Sequence, residues 1–217
     1  MRKILSVCGL ASLWFASIAR ADLLYSFSVD TSGISGTAGS LDLQFNPGPL
    51  VTQPASLQIL NFSGDGTLVG APVLTGDVSG GPLPAALTFD NGTAFNDYFE
   101  GFIFGSNLSF AVRLFGPAVA SPDGTSTSGS TFAFSMFSDA AGTVPALTSD
   151  TTDGFAALID LNLDGTGAPT NFSAPTTVTP EPPPSPVPEP SGLGMLSVAV
   201  LGVACLRRSR DRTAGSR

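Results

Sequence analysis

The chain has 217 residues, of which 12% are charged, with 25 Gly, 18 Pro, 16 Phe and no His. Helices need Lys, Glu and Arg on their exposed faces, so this composition argues for strands and turns rather than a helical protein. The lack of histidine excludes Ser-His-Asp and Cys-His nucleophile systems and His-ligated zinc or copper, and the lack of lysine after Lys3 excludes Schiff-base and Ser-Lys chemistry.

The N-terminus opens on Arg2 and Lys3, runs largely apolar from Ile4 to Ile18, and then reads Ala19-Arg20-Ala21. A basic start, an apolar middle and a small-x-small ending predict a secretory signal peptide over residues 1–21, cut by signal peptidase after Ala21. Charge is distributed unevenly beyond it. Residues 22–174 hold fourteen carboxylates, and Arg113 is the one cation between Ala21 and Leu206. So acidic a surface repels nucleic acid and anionic lipid, which need Lys and Arg to replace counterions. No nucleic-acid partner is expected. Cys8 lies in the leader and Cys205 near the C-terminus, so the part between them has neither a disulfide framework nor a thiolate metal site.

From Leu23 onward short runs alternate with period two. Leu41, Leu43 and Phe45 are interleaved with Asp42 and Gln44, and Leu57 and Ile59 follow in a second run that leads to Phe62. Phe102 and Phe104 sit in YFEGFIFG. Leu108, Phe110, Val112 and Leu114 alternate with polar or small residues, as do Phe132, Phe134 and Met136. A run from Phe155 to Leu163 closes the series. Strict alternation is the sign of half-buried strands. Between runs stand FNPGP, SGDGT, TGDVSGGP, DNGT and SPDGTSTSGS, rich in residues that suit turns. The expected fold over residues 22–174 is all-β, an antiparallel β-sandwich with a jelly roll as a variant.

Few residues here could carry chemistry. A two-carboxylate glycosidase site could draw on Asp97 and Glu100 in FNDYFEGF. Three residues apart on one strand, they would face opposite sides, so either would need a distant partner. Oxygen donors in Gly-rich loops suit calcium, and DLNLDGTG offers Asp160, Asn162 and Asp164 at the spacing of an EF-hand loop start. The bidentate Glu at the twelfth position is missing, with Asn171 standing there. The expectation is turn-forming acids, no metal, no cofactor and no catalysis. Sequons at Asn61, Asn91, Asn107 and Asn171 are given no role.

Residues 175–187 read as a proline-rich, extended linker. Pro188-Glu189-Pro190 follows, then an uncharged run from Gly192 to Leu206, then Arg207, Arg208, Arg210 and Arg212. Fifteen residues span about 22 Å as a helix against a hydrocarbon core of about 30 Å. The arginines supply the stop-transfer and positive-inside signal. We expect a transmembrane helix over 191–206, with the domain outside and the Arg cluster (207–212) in the cytoplasm.

A Pro-Glu-Pro motif, an apolar run and an Arg cluster in that order resemble the PEP-CTERM sorting signal, here over residues 188–212. The resemblance implies recognition by exosortase, a membrane-embedded cysteine protease-transpeptidase that processes its substrates near the motif. It also implies an envelope or extracellular destination in bacteria that make exopolysaccharide and live in biofilms. The succession GTAGSLDLQFNPG, FGSNLSFAVRLFGPA and GSTFAFSMF looks like an uncharacterised ectodomain type found with that signal, which imports no activity. The expected function is a non-enzymatic envelope or matrix protein, with a lectin-like carbohydrate- or Ca-binding module as the alternative.

Overall fold

Alternation along the sequence becomes twelve strands in the computed structural model, which describes residues 21–182. They are β1 (Leu23–Asp30), β2 (Ala38–Pro47), β3 (Ser56–Gly64), β4 (Thr67–Thr75), β5 (Val78–Gly80), β6 (Leu87–Asp90), β7 (Asp97–Ile103), β8 (Asn107–Phe115), β9 (Ser128–Phe137), β10 (Phe155–Asn162), β11 (Gly167–Asn171) and β12 (Thr176–Glu181). A single helical turn, α1 (Pro117–Ala120), sits between β8 and β9. The strands form two six-stranded sheets, ordered β12-β1-β8-β3-β6-β5 and β11-β10-β9-β2-β7-β4, with every pairing antiparallel.

Period-two side chains decide which face each sheet turns inward. On β2, Leu41, Leu43 and Phe45 are buried, whereas Asp42, Gln44 and Asn46 are part-exposed. The same alternation buries Leu108, Phe110, Val112 and Leu114 on β8 and Phe132, Phe134 and Met136 on β9. Aromatic rings fill the space between the sheets. Phe27 stacks on Phe110 at 4.6 Å and meets Phe132 and Phe134 edge-on at 5.7 and 6.2 Å. Such offset and edge-to-face pairs add about 0.5–1.5 kcal/mol each beyond area burial.

The sandwich is longer than composition suggests. Residues 175–187 were expected to be linker, yet β12 occupies Thr176–Glu181 and pairs with β1 from Val29↔Thr176 to Leu24↔Glu181. Thr176 is buried and Val178 packs against the core. Pro180 fits because β12 lies at a sheet edge, where a missing N–H costs no ladder bond. Any proline-rich spacer therefore starts after Glu181.

The other edges are guarded in related ways. Pro169 stands in β11, β5 is only three residues long, and β4 carries Pro72 beside a register shift between Val69 and Val73. Gly70 adopts φ +85° in that shift, a conformation open to glycine. Prolines, bulges and short strands all blunt pairing with another chain. Among the described residues no helix is long and apolar enough to cross a membrane. The expected transmembrane helix over 191–206 lies outside the described residues.

Candidate functional site

Strand β7 carries the densest chemistry in the sequence, and its alternation splits that chemistry between two faces. Tyr98, Glu100 and Phe102 are buried, while Asp97, Phe99 and Gly101 are part-exposed. Asp97 and Glu100 thus lie on opposite sides of the sheet, as their spacing requires. Each has found a different partner.

On the inner face the Tyr98 hydroxyl donates to Glu100 Oε2 and accepts from the Leu83 backbone N–H at 3.0 Å. Leu83 belongs to the β5–β6 connection and is itself buried in the core. Tyr98 therefore ties a loop of the first sheet to a strand of the second. Burial pushes the phenol well above its ordinary range, and the neighbouring Glu100 adds to the effect.

On the outer face the Asp97 carboxyl comes up against that of Asp42 on β2, and each shifts the protonation of the other. Register explains the meeting. Gln44 lies directly opposite Asp97 and Phe99 directly opposite Asp42, so the two carboxyls are diagonal neighbours on one face. Each retains one buried oxygen, Oδ1, without an N–H or hydroxyl donor. Burial, then the hydrogen bond to Asp42 and its charge, pushes Asp97 up to about 8, and burial also raises Asp42. Two carboxyls in contact cannot both ionise cheaply.

From Asp42 a line of amides runs along β2. Gln44 Nε2 donates to Asp42 Oδ2 at 2.8 Å, Asn46 Nδ2 donates to Gln44 Oε1 at 3.1 Å, and the Asn96 backbone N–H donates to Asn46 Oδ1 at 2.7 Å. Asn96 is fully buried. Its Nδ2 donates to the carbonyls of Phe45 and Thr93 at 2.9 and 3.0 Å, and its Oδ1 accepts from the Asp77 N–H at 2.8 Å and from the Thr93 hydroxyl. The carboxyl pair is thereby wired to the β6–β7 loop.

The calcium candidates are placed differently. Asp160 lies on β10, where its Oδ1 accepts from Ser128 Oγ at 2.9 Å and Thr131 Oγ1 at 2.6 Å. Asn162 Nδ2 donates to Thr166 Oγ1 at 3.0 Å. Asp164 Oδ1 accepts from the Thr166 N–H at 3.0 Å and hydroxyl at 2.6 Å across the β10–β11 turn. Their contacts are those of a hairpin turn. Among the described residues no group of three His, Cys, Asp or Glu is arranged to hold a metal.

Arg113 is the one cation in the described residues, and it is already engaged. Its Nε donates to Asp22 Oδ2 at 2.7 Å, its Nη1 donates to Gln58 Oε1 at 3.1 Å, and its guanidinium lies 4.7 Å from the centre of the Phe115 ring. Of the sequons, Asn91 is buried, accepting from the Ala55 N–H and donating to Gln53 and Ser130. Its amide is occupied in holding the chain together.

No family model, curated protein or solved structure matches this chain. The site is therefore read from its own geometry. Asp42 is the residue that sequence reasoning missed: alternation places it outward, but nothing in the sequence says that β7 lies beside β2. The signal-cleavage residue Ala21 begins the described region, whereas Ala19, the motif Pro188, Glu189 and Pro190, and Arg207, Arg208, Arg210 and Arg212 lie outside it.

Proposed function

We propose that this chain is an exported, non-enzymatic envelope or extracellular-matrix protein, held at the inner membrane as a precursor and processed by exosortase at Pro188-Glu189-Pro190. Signal peptidase acts first, after Ala21. The observation that carries the reading is the ordered tail of motif, apolar run and Arg cluster in a chain whose folded part is an acidic sandwich. The register of β1 and β12 is consistent with it. Leu24 lies opposite Glu181, so the first and last strands of the described residues bring their outer ends side by side. The strand order β1-β8-β3-β6 in one sheet and β2-β7-β4 in the other supports the jelly-roll variant, with β12 and β9–β11 as additions.

The mature protein would serve as a stable, protease-resistant body in or on the exopolysaccharide layer. The buried tyrosines weigh against the lectin-like alternative. Tyr25 and Tyr98 are the two tyrosines of the chain and both are inside, leaving Phe95 as the large exposed aromatic among the described residues. Fold alone carries no ligand with it.

Mass spectrometry of the protein recovered from cells tests the proposal. A mature form starting at Asp22 and ending near Pro190 is expected. A chain that keeps Met1, or one that keeps Arg217 wherever it is found, overturns it. A glycan array probed with the purified protein should stay silent, and specific binding would favour the lectin-like reading.

A further inference from the structure

The outer face of the second sheet holds a feature that the sorting role does not use. Asp42 and Asp97 meet across β2 and β7 with no cation near them. The elements around them supply no neutralising group. Across β4, Thr75 lies opposite Asp97, and across β9, Ser135 lies opposite Asp42. Neither β4 nor β9 carries a titratable residue, and Glu100 of β7 points into the core. The nearest acids on neighbouring segments are already engaged or point to other groups. Asp160 on β10 is held by Ser128 and Thr131. Asp139 after β9 accepts from Thr143 and Val144. Asp77, after β4, lies against Gly92.

The direction of the amide line adds a second, independent constraint. Each link donates toward Asp42: Asn96 N–H to Asn46, Asn46 to Gln44, Gln44 to Asp42. A line of donors all aimed one way is stronger when the acceptor at its end is charged, which favours Asp42 as the ionised member. Asp97 must then bring the proton that joins them. Without it, two buried Oδ1 atoms have no donor.

We propose that Asp42 and Asp97 hold a single proton between them, and that this proton locks the β2–β7 seam to the β6–β7 loop through Gln44, Asn46 and Asn96. The device is pH-sensitive. With the proton present, Asp42 anchors the amides, Asn96 stays seated, and the Asp77 and Thr93 contacts that hold the β4–β5 turn persist. Loss of the proton leaves two carboxylates in contact. Their repulsion separates β2 from β7 at this point and releases the loop. Asp97 has its affinity for the proton raised in the folded state, so the lock is fully made below the ordinary carboxylate range and is lost as pH rises through about 8. The exported domain is thus held tightest in mildly acidic surroundings.

The test uses the full chain purified in detergent. Thermal unfolding is followed from pH 5 to pH 9.5 for wild type, Asp97→Asn and, as a control, Asp160→Asn. The wild-type midpoint should fall by roughly 4–8 °C across this range, and Asp160→Asn should fall with it. Asp97→Asn replaces the shared proton with a permanent amide donor and should run flat. Infrared spectroscopy of the wild type at pH 6.5 should show one neutral carboxyl C=O stretch, which disappears by pH 9.5. A flat wild-type profile, a fall that survives in Asp97→Asn, or no neutral carboxyl at pH 6.5 overturns the proposal. Should Asp97→Asn fail to fold, the infrared measurement decides alone.

Discussion

Replacing Tyr98 with Phe removes one oxygen atom from the interior and leaves every apolar contact of the ring in place. Two groups lose their partner at once: the Leu83 N–H, which donates to the hydroxyl at 3.0 Å, and Glu100, which accepts from it. A buried polar group left unpaired costs about 1–3 kcal/mol. Two of them would cost about 2–6 kcal/mol, with about 4 kcal/mol as the central value. In a domain of this size that lowers Tm by about 8–16 °C. Scanning calorimetry measures the loss, and hydrogen exchange at the Leu83 amide locates it, since the β5–β6 connection is what Tyr98 holds. Glu100→Gln keeps an oxygen for Tyr98 and should lose less than Tyr98→Phe. A Tyr98→Phe protein that melts with wild type and protects Leu83 equally well would refute the assignment of this hydroxyl as the tie between the sheets.

Four further outcomes are expected. Phe27→Ala opens a cavity among Phe110, Phe132 and Phe134 and should cost about 3–5 kcal/mol in denaturant unfolding. Phe95→Ala, at an exposed position, should stay within about 0.5 kcal/mol. Gly39→Ala should prevent normal folding, read as loss of soluble protein, because a Cβ there would lie 2.0 Å from the Phe137 carbonyl oxygen and 2.7 Å from the Phe104 ring. At the acid end, hydrogen bonds from Ser106 and Asn107 hold Asp65 down to about 2. Its contribution is therefore present above the ordinary carboxylate range and lost as pH falls through about 2. Asp65→Asn should make the acid limb of a pH-unfolding series shallower, with Asp30, Asp139 and Asp150 still contributing to it, without touching the alkaline limb.

How much of this could be read beforehand depends on whether the determinant is local. Inward positions of β2, β8 and β9 follow from alternation, because a strand's period is a property of its own residues. The opposed faces of Asp97 and Glu100 follow for the same reason. What lay beyond reach was pairing between distant segments. Asp42 and Asp97 are 55 residues apart, and only the sheet order β9-β2-β7-β4 makes them neighbours. Strand β4 escaped notice because Gly70, Ala71 and Pro72 interrupt its alternation, so the pattern looks like a loop. β12 escaped because its Pro180 resembles the prolines that follow it, and an edge strand tolerates what a central strand would not. Asp160, Asn162 and Asp164 show the converse. Their spacing fits a cation loop start as well as a turn, and they stand in a hairpin where Thr166 donates to Asp164 and accepts from Asn162, while Ser128 and Thr131 donate to Asp160.

The pairing of β12 with β1 also sets how the domain bears tension. A pull entering through the backbone after Glu181, resisted by anything gripping the far pole near Asp30 and Thr176, runs parallel to both strands. The hydrogen bonds between them lie across that line, so the six residue pairs from Leu24↔Glu181 to Val29↔Thr176 are loaded together and must yield together. The same force applied between Asp22 and Glu181 would instead peel them one after another. In the tethered precursor proposed above, drawn outward against its tail, the first geometry would be the one engaged.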